Sequence, residues 1–195
     1  MALLTSVLVR GINNLSDARY CAGMGADGLI FTLDPALPGA VDAATVKELA
    51  GWVSGVEIIG EFGSTMPASE INRLIEECNL TRVLLRDFAA WPAVPPLAVP
   101  ALLEVSPLVA FDAEESAHAV PATAFPAGYA LLTSAEGADS TAAPLWLNGS
   151  FSPDTLPTLL ATVQPAGLVL EGGNEIKPGL RDFSEMEAVF EALEE

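Results

Sequence analysis

Short apolar runs alternate with helical stripes along the whole chain. Leu3 to Val9 is apolar and rich in β-branched residues, the pattern of a strand buried on both faces. Ser16 is placed to N-cap a helix carrying Asp17 in its first turn and running to about Met24, where Gly25 stops it. A second strand follows over Asp27 to Thr32, a helix over Val41 to Trp52 and a third strand over Val56 to Phe62. Pro67 opens the next helix, which runs to Cys78. Its apolar residues Ile71, Leu74, Ile75 and Cys78 fall at i, i+3, i+4 and i+7, so they share one face.

The second half keeps the rhythm with weaker helices. Arg82 to Leu85 predicts a fourth strand. Pro92, Pro95, Pro96 and Pro100 exclude a full helix across Phe88 to Pro100. Strands are expected at Ala101 to Val105, Tyr129 to Leu132, Leu145 to Leu147 and Leu168 to Leu170. Between them lie a short helix over Asp112 to Ala119, a small and polar loop over Ser134 to Ala143, and a helix over Pro153 to Val163. An amphipathic helix over Phe183 to Glu194 closes the chain. None of the eight strands shows the polar alternation of a half-exposed sheet, so the class is α/β with a helix-covered parallel sheet. An open doubly wound sheet fits the alternation too, but the count of eight favours a single (β/α)8 TIM barrel. No repeat or linker divides residues 1–195, which are expected to form one domain.

Composition narrows the setting. At 195 residues the chain is short for such a barrel, for which about 250 is usual. No apolar run reaches the roughly 18 residues that span a bilayer, and Met1 to Val9 lacks the basic region and cleavage site of a signal peptide. Cys21 and Cys78 sit in apolar helical contexts, which suggests reduced thiols in a cytoplasmic protein. The net charge of −18 would repel a phosphate backbone, so neither nucleic acid nor membrane is an expected partner. It also disfavours bulk capture of anions. A phosphate site would have to be local, built from backbone N–H groups and a helix N-terminus.

Three stretches carry a family resemblance. Arg10-Gly11-Ile12-Asn13-Asn14-Leu15-Ser16-Asp17-Ala18 is similar to Cys-Gly-Ile-Thr-Asn-x-x-Asp-Ala at the end of strand one. Leu147-Asn148-Gly149-Ser150-Phe151-Ser152-Pro153 is similar to Leu-Ala-Gly-Gly-Leu-x-Pro after strand seven. Gly173-Asn174-Glu175-Ile176-Lys177-Pro178-Gly179-Leu180-Arg181-Asp182 follows Gly-Val-Glu-x-x-Pro-Gly-x-Lys-Asp at the same spacing. Together they resemble phosphoribosylanthranilate isomerase, the barrel enzyme of tryptophan biosynthesis that performs an Amadori rearrangement. The resemblance covers nearly the whole chain, weakly between Pro35 and Pro144.

The departures fall on the chemistry. Amadori isomerisation needs a general acid to open the ribose ring and a general base to take a proton from C2′. The family's base is the cysteine that opens the first motif; here that position is Arg10, which cannot accept a proton. The family's acid is an aspartate in a Leu-Leu-Asp-Ser/Thr context; the matching stretch here is Leu131-Leu132-Thr133-Ser134, which puts Thr133 in its place. The family's Gly-Thr-Gly and Phe-Asp-Trp segment is replaced by Ala135 to Ala143. Its Ser-Pro-Arg-Tyr-Val, whose arginine meets the anthranilate carboxylate, is shortened to Asp34 to Val41. What remains is a candidate phosphate end: Gly149 and Ser150 after strand seven, Gly172 and Gly173 after strand eight.

Each candidate has a plainer reading. The glycines also serve as turn residues, Arg10 as a member of a structural ion pair, and Glu175 as a loop brace. His118 reads as a lone exposed histidine; Trp52, Trp91 and Trp146 read as core. Asp112, Glu114 and Glu115, and the tail Glu191, Glu194 and Glu195, read as solvated charge. No metal or organic cofactor is expected.

Three functions stay open. One is an isomerase-like barrel impaired in catalysis that retains an anion site for a phosphorylated small molecule. Another is an active isomerase, or a related sugar-phosphate enzyme, with a rebuilt acid–base pair. The third is a structural or interaction barrel with a plugged mouth, with self-association open to any of them. Strand adjacency in a closed barrel makes one sharp geometric expectation: Arg10 should meet Glu171, with Val169 and Glu171 on the inward face of strand eight.

Overall fold

The computed structural model describes residues 3–90, 96–105, 128–134, 144–172, 175–177 and 180–194. Each of the eight apolar runs forms a strand: β1 (Ser6–Arg10), β2 (Gly28–Thr32), β3 (Glu57–Phe62), β4 (Arg82–Leu85), β5 (Ala101–Glu104), β6 (Tyr129–Ser134), β7 (Leu145–Asn148) and β8 (Gly167–Glu171). All neighbours pair in parallel, and β8 pairs with β1, so the sheet closes into a barrel. The fold is a (β/α)8 TIM barrel. A small antiparallel pair, β9 (Glu175–Lys177) and β10 (Leu180–Arg181), follows β8 and has no counterpart in the sequence reading.

The helices are α1 (Leu15–Gly23), α2 (Ala43–Ala50), α3 (Ala68–Cys78), α4 (Leu156–Val163) and α5 (Ser184–Leu193). The cap of α1 is Asn14, whose side chain accepts from the Asp17 N–H at 2.9 Å; Ser16, expected in that role, lies inside the helix. Asp42 caps α2 in the same way, accepting from Thr45 N–H. On α3 the four residues expected on one face, Ile71, Leu74, Ile75 and Cys78, are the buried ones. α4 starts three residues later than Pro153, and α2 ends at Ala50. Trp52 therefore falls beyond the packed face and is 63% exposed, which corrects its assignment to the core. Among the described residues of the proline-rich segment there is one short 3-10 turn, Phe88–Ala90. The helix expected over Asp112 to Ala119, the loop over 135–143, Trp91, His118, Gly173 and Glu195 lie outside the described residues.

Side-chain alternation separates two apolar layers. One residue from each strand fills the barrel: Leu8, Ile30, Ile59, Leu84, Leu102, Leu132, Trp146 and Val169. The opposite faces, such as Val9, Phe31, Phe62, Leu103 and Leu147, pack with the helices. At the N-terminal end of the barrel, Arg82 lies over the Trp146 ring at 5.4 Å and pairs with Glu57 at 3.1 Å. The ends of the chain are tied together by Leu4 N–H donating to Leu193 C=O and by Tyr20 stacked on Phe183.

Both cysteines are free and buried, as expected. Burial, and then the nearby Asp17 carboxylate, pushes the Cys21 thiol up to about 12; burial also raises Cys78. Neither thiol should react with a chromogenic disulfide reagent at pH 8 while the protein is folded, and both should react once urea unfolds it. Rapid labelling of either thiol in the native protein would contradict the packing described.

Candidate functional site at the barrel mouth

Two residues beyond the apolar layer, each strand presents its next inward position. These are Arg10, Thr32, Glu61, Arg86, Glu104, Ser134, Asn148 and Glu171, all of them polar. The sheet's pleat aims them at the C-terminal mouth, where barrels of this kind place their chemistry.

Arg10 stands at the centre and is 6% exposed. Its Nε donates to Glu61 Oε1 at 3.1 Å, and Nη2 donates to the same oxygen. Nη1 donates to Glu104 Oε1 at 2.7 Å and lies 3.5 Å from Glu171 Oε1. The expected Arg10–Glu171 pair is thus present, on strands aligned Arg10↔Glu171, with Val169 inward below it. It is the weakest of the three contacts: the Glu171 side chain is 60% exposed, against 2% for Glu61 and 16% for Glu104. The two stronger partners were not foreseen. Thr32 Oγ1 donates to Glu61 Oε2 at 2.9 Å, and Asn148 Nδ2 donates to Glu104 Oε1 at 3.4 Å. Arg86 flanks both carboxylates, at 3.8 Å from Glu61 and 3.9 Å from Glu104. Burial opposes the charge on Arg10, but the bonds to Glu61 and Glu104 outweigh it and raise its pKa further above the ordinary arginine value. A proton acceptor at this position is excluded.

Thr133 is buried but does not face the mouth. It pairs with Leu147, which packs toward the helices, whereas Leu132 and Ser134 fall on the inward face. The match that put Thr133 in the acid's place is therefore corrected by one residue: Ser134 occupies the inward position on β6.

The candidate phosphate residues separate as well. Gly172 N–H donates to Arg10 C=O at 2.8 Å, so it is already used. A Cβ on Gly172 would lie 2.5 Å from Arg181 Nη1 and 2.9 Å from Arg10 O, so glycine is required there by close approach. Gly149 and Ser150 are exposed and line a cleft of about 720 Å³ between the ends of β7 and β8 and the start of α5. Asp34, in the shortened stretch after β2, is buried and accepts from the N–H groups of Ala36 and Gly63, a turn brace. The first and third motifs meet in space: Arg181 Nε bonds the buried Asp17 carboxylate at 3.0 Å. Among the described residues no group of three or more His, Cys, Asp or Glu is placed to hold a metal ion. No described helix is long and apolar enough to cross a membrane.

No protein-family model matches the chain. In sequence it is 29% identical to N-(5'-phosphoribosyl)anthranilate isomerase of Deinococcus radiodurans, over 96% of this chain and 95% of that protein. Its fold matches the phosphoribosyl anthranilate isomerase of Thermus thermophilus with a TM-score of 0.74 at 24% identity, covering 97% and 98% of the two chains. A phosphoribosyl anthranilate isomerase solved with reduced 1-(o-carboxyphenylamino)-1-deoxyribulose 5-phosphate also shares the fold, with a TM-score of 0.67 at 18% identity over 97% and 98% of the chains. The chain is similar to the phosphoribosylanthranilate isomerases over nearly its whole length. Asp17 of the first motif and Arg181, which stands where the third motif has lysine, pair across α1 and the β8 loop, with Gly172 packed beside Arg181. Arg10 departs from the first motif and is the residue around which the mouth is organised.

Proposed function

We propose that this phosphoribosylanthranilate isomerase-like barrel does not carry out the Amadori rearrangement, because its own ion pairs occupy the mouth. The observation that carries the reading is the buried Arg10 guanidinium bonded to Glu61 and Glu104 where the family's base would stand. A permanently charged arginine cannot take a proton. The inward residue on β6 is a serine, and a hydroxyl is a poor acid near neutral pH. The mouth layer holds three carboxylates and two arginines, so its excess charge opposes a substrate bearing both a phosphate and a carboxylate. Two buried thiols and the family resemblance support a cytoplasmic setting.

A phosphate end is not part of this reading. Gly172 N–H is engaged by Arg10 C=O, and the cleft beside Gly149 and Ser150 is rimmed by carboxylates. A second reading, isomerisation by a rebuilt pair, draws support from Glu104, a carboxylate within reach of the mouth. Against it, Arg10 and Asn148 already donate to that carboxylate.

Expression in a tryptophan auxotroph lacking the isomerase, with a direct assay of the purified protein, decides between them. We expect no growth without tryptophan and no turnover. Growth would establish the rebuilt enzyme. A reconstruction adds a second arm: Arg10→Cys with Ser134→Asp places both groups at the mouth, whereas Arg10→Cys with Thr133→Asp sends the carboxyl to the outer layer. Activity should therefore return, if in either, only in the first.

A further inference from the structure

The segments that lead into the strands all lie at the N-terminal end of the barrel, opposite the mouth. Those described are residues 3–5, 24–27, 51–56, 79–81, 96–100, 128, 144 and 164–166. Asp27 is the one charged residue among them, in a chain where 17% of residues are charged. Its carboxylate accepts from Val7 N–H at 2.8 Å. Where the strands begin at this end, Glu57 and Arg82 pair at 3.1 Å and so add no net charge.

Apolar side chains stand at this end instead. Trp52 is 63% exposed and Leu4 is 53% exposed, the two exposed large apolar residues among those described. Leu4 comes just before β1, and Trp52 lies between α2 and β3. β2 alone separates β1 from β3, and a strand spacing of about 4.8 Å puts the two about 10 Å apart. Val53 and Val99 at the same end are half-buried. Charge returns at the edge, on the helix ends, where Glu48, Glu76 and Glu194 are exposed. An apolar centre without free charge, inside a polar rim, is the anatomy of a protein–protein interface.

The net charge of −18 narrows the choice of partner. A basic partner would be drawn to the carboxylates of the mouth and the sides, and this end offers it almost none. Two copies of the chain repel each other wherever their acidic surfaces meet. The N-terminal ends are where they can approach without bringing like charges into contact. We propose that the N-terminal end of the barrel binds a second copy of the chain, face to face about a two-fold axis, with Trp52 and Leu4 in the buried centre. The inference stands independently of whether the mouth isomerises anything.

Sedimentation velocity of the full chain over a concentration series should show a species of about twice 20.2 kDa with a micromolar dissociation constant. Added NaCl should strengthen it, because screening weakens the repulsion between two acidic bodies. Trp52→Glu should weaken the dimer by about ten-fold or more, the effect expected at a central aromatic, and Leu4→Glu should weaken it as well. Thr158→Glu adds the same charge on the exposed surface of α4, at the helix end away from this face, and should leave the dimer nearly unchanged. Circular dichroism of each variant checks that the barrel is folded. The unmutated chain gives a second readout: on dilution, tryptophan emission should move to the red as Trp52 meets water. The proposal fails if the chain is monomeric up to millimolar concentration, or if dilution leaves the emission unchanged. It fails if Trp52→Glu and Leu4→Glu dimerise like the parent, or if Thr158→Glu weakens the dimer as much as they do. Weakening by salt would point to an ion-paired contact elsewhere and overturn it. A monomer that binds phosphatidylcholine vesicles through Trp52 would assign the face to lipid and overturn it too.

Discussion

Replacing Arg10 by methionine should destabilise the folded barrel by about 3–5 kcal/mol, the cost of leaving a buried charge without its partner. Glu61 is the residue that suffers. It is 1% exposed, and Arg10 donates to it through two nitrogens. Methionine fills much of the same volume, so the loss is electrostatic more than steric. The remaining groups near Glu61 are Thr32, which bonds its other oxygen, and Arg86 at 3.8 Å, too distant to replace two donated bonds. Adding Glu61→Gln to Arg10→Met should recover part of the loss, since a neutral amide is cheaper to bury than an unpaired carboxylate. Urea unfolding of the four proteins of this double-mutant cycle measures the coupling. A loss below about 1 kcal/mol for Arg10→Met, in the range of a solvated surface pair, would mean that water reaches Glu61 and that the mouth is open.

Gly167→Ala should be the most damaging single methyl addition in the barrel, costing about 3 kcal/mol, the upper part of the range for overpacking. The added Cβ would stand 2.6 Å from Trp146 Cη2 and 2.7 Å from Ser6 O. Ser6 is paired in register with Gly167, so its carbonyl cannot retreat without opening the β1–β8 seam. Trp146 cannot retreat freely either, because Arg82 covers its ring at 5.4 Å. Trp146→Leu alone removes packing and should destabilise. In the Gly167→Ala background the same change relieves the overlap with the ring, so the double mutant should be more stable than the sum of the single losses predicts. Strict additivity in thermal or urea unfolding would show that the tryptophan is not held against Gly167.

Alternation of apolar runs and helical stripes was enough to read eight strands, because those periodicities are local properties of the chain, and the count of eight favoured closure into a barrel. One tertiary contact was legible too. In a closed barrel β8 must lie beside β1, so inward residues at matching heights, Arg10 and Glu171, must meet. The stronger contacts were not legible. Glu61 and Glu104 lie 51 and 94 residues from Arg10, on strands that do not neighbour β1, and only the curvature of the barrel brings them to one point. Nor could the sequence choose between Thr133 and Ser134, since a shift of one residue moves a side chain from the mouth to the helix layer. The glycines at positions 149 and 172 could be read as turns, but not that Arg10 C=O takes the Gly172 N–H or that Asp182 accepts from Ser184 N–H at the start of α5. Local pattern determined which residues form strands and which faces are buried. Closure and register decided which charges meet, because a long-range ion pair depends on where the backbone carries its ends, and no spacing along the chain encodes that distance.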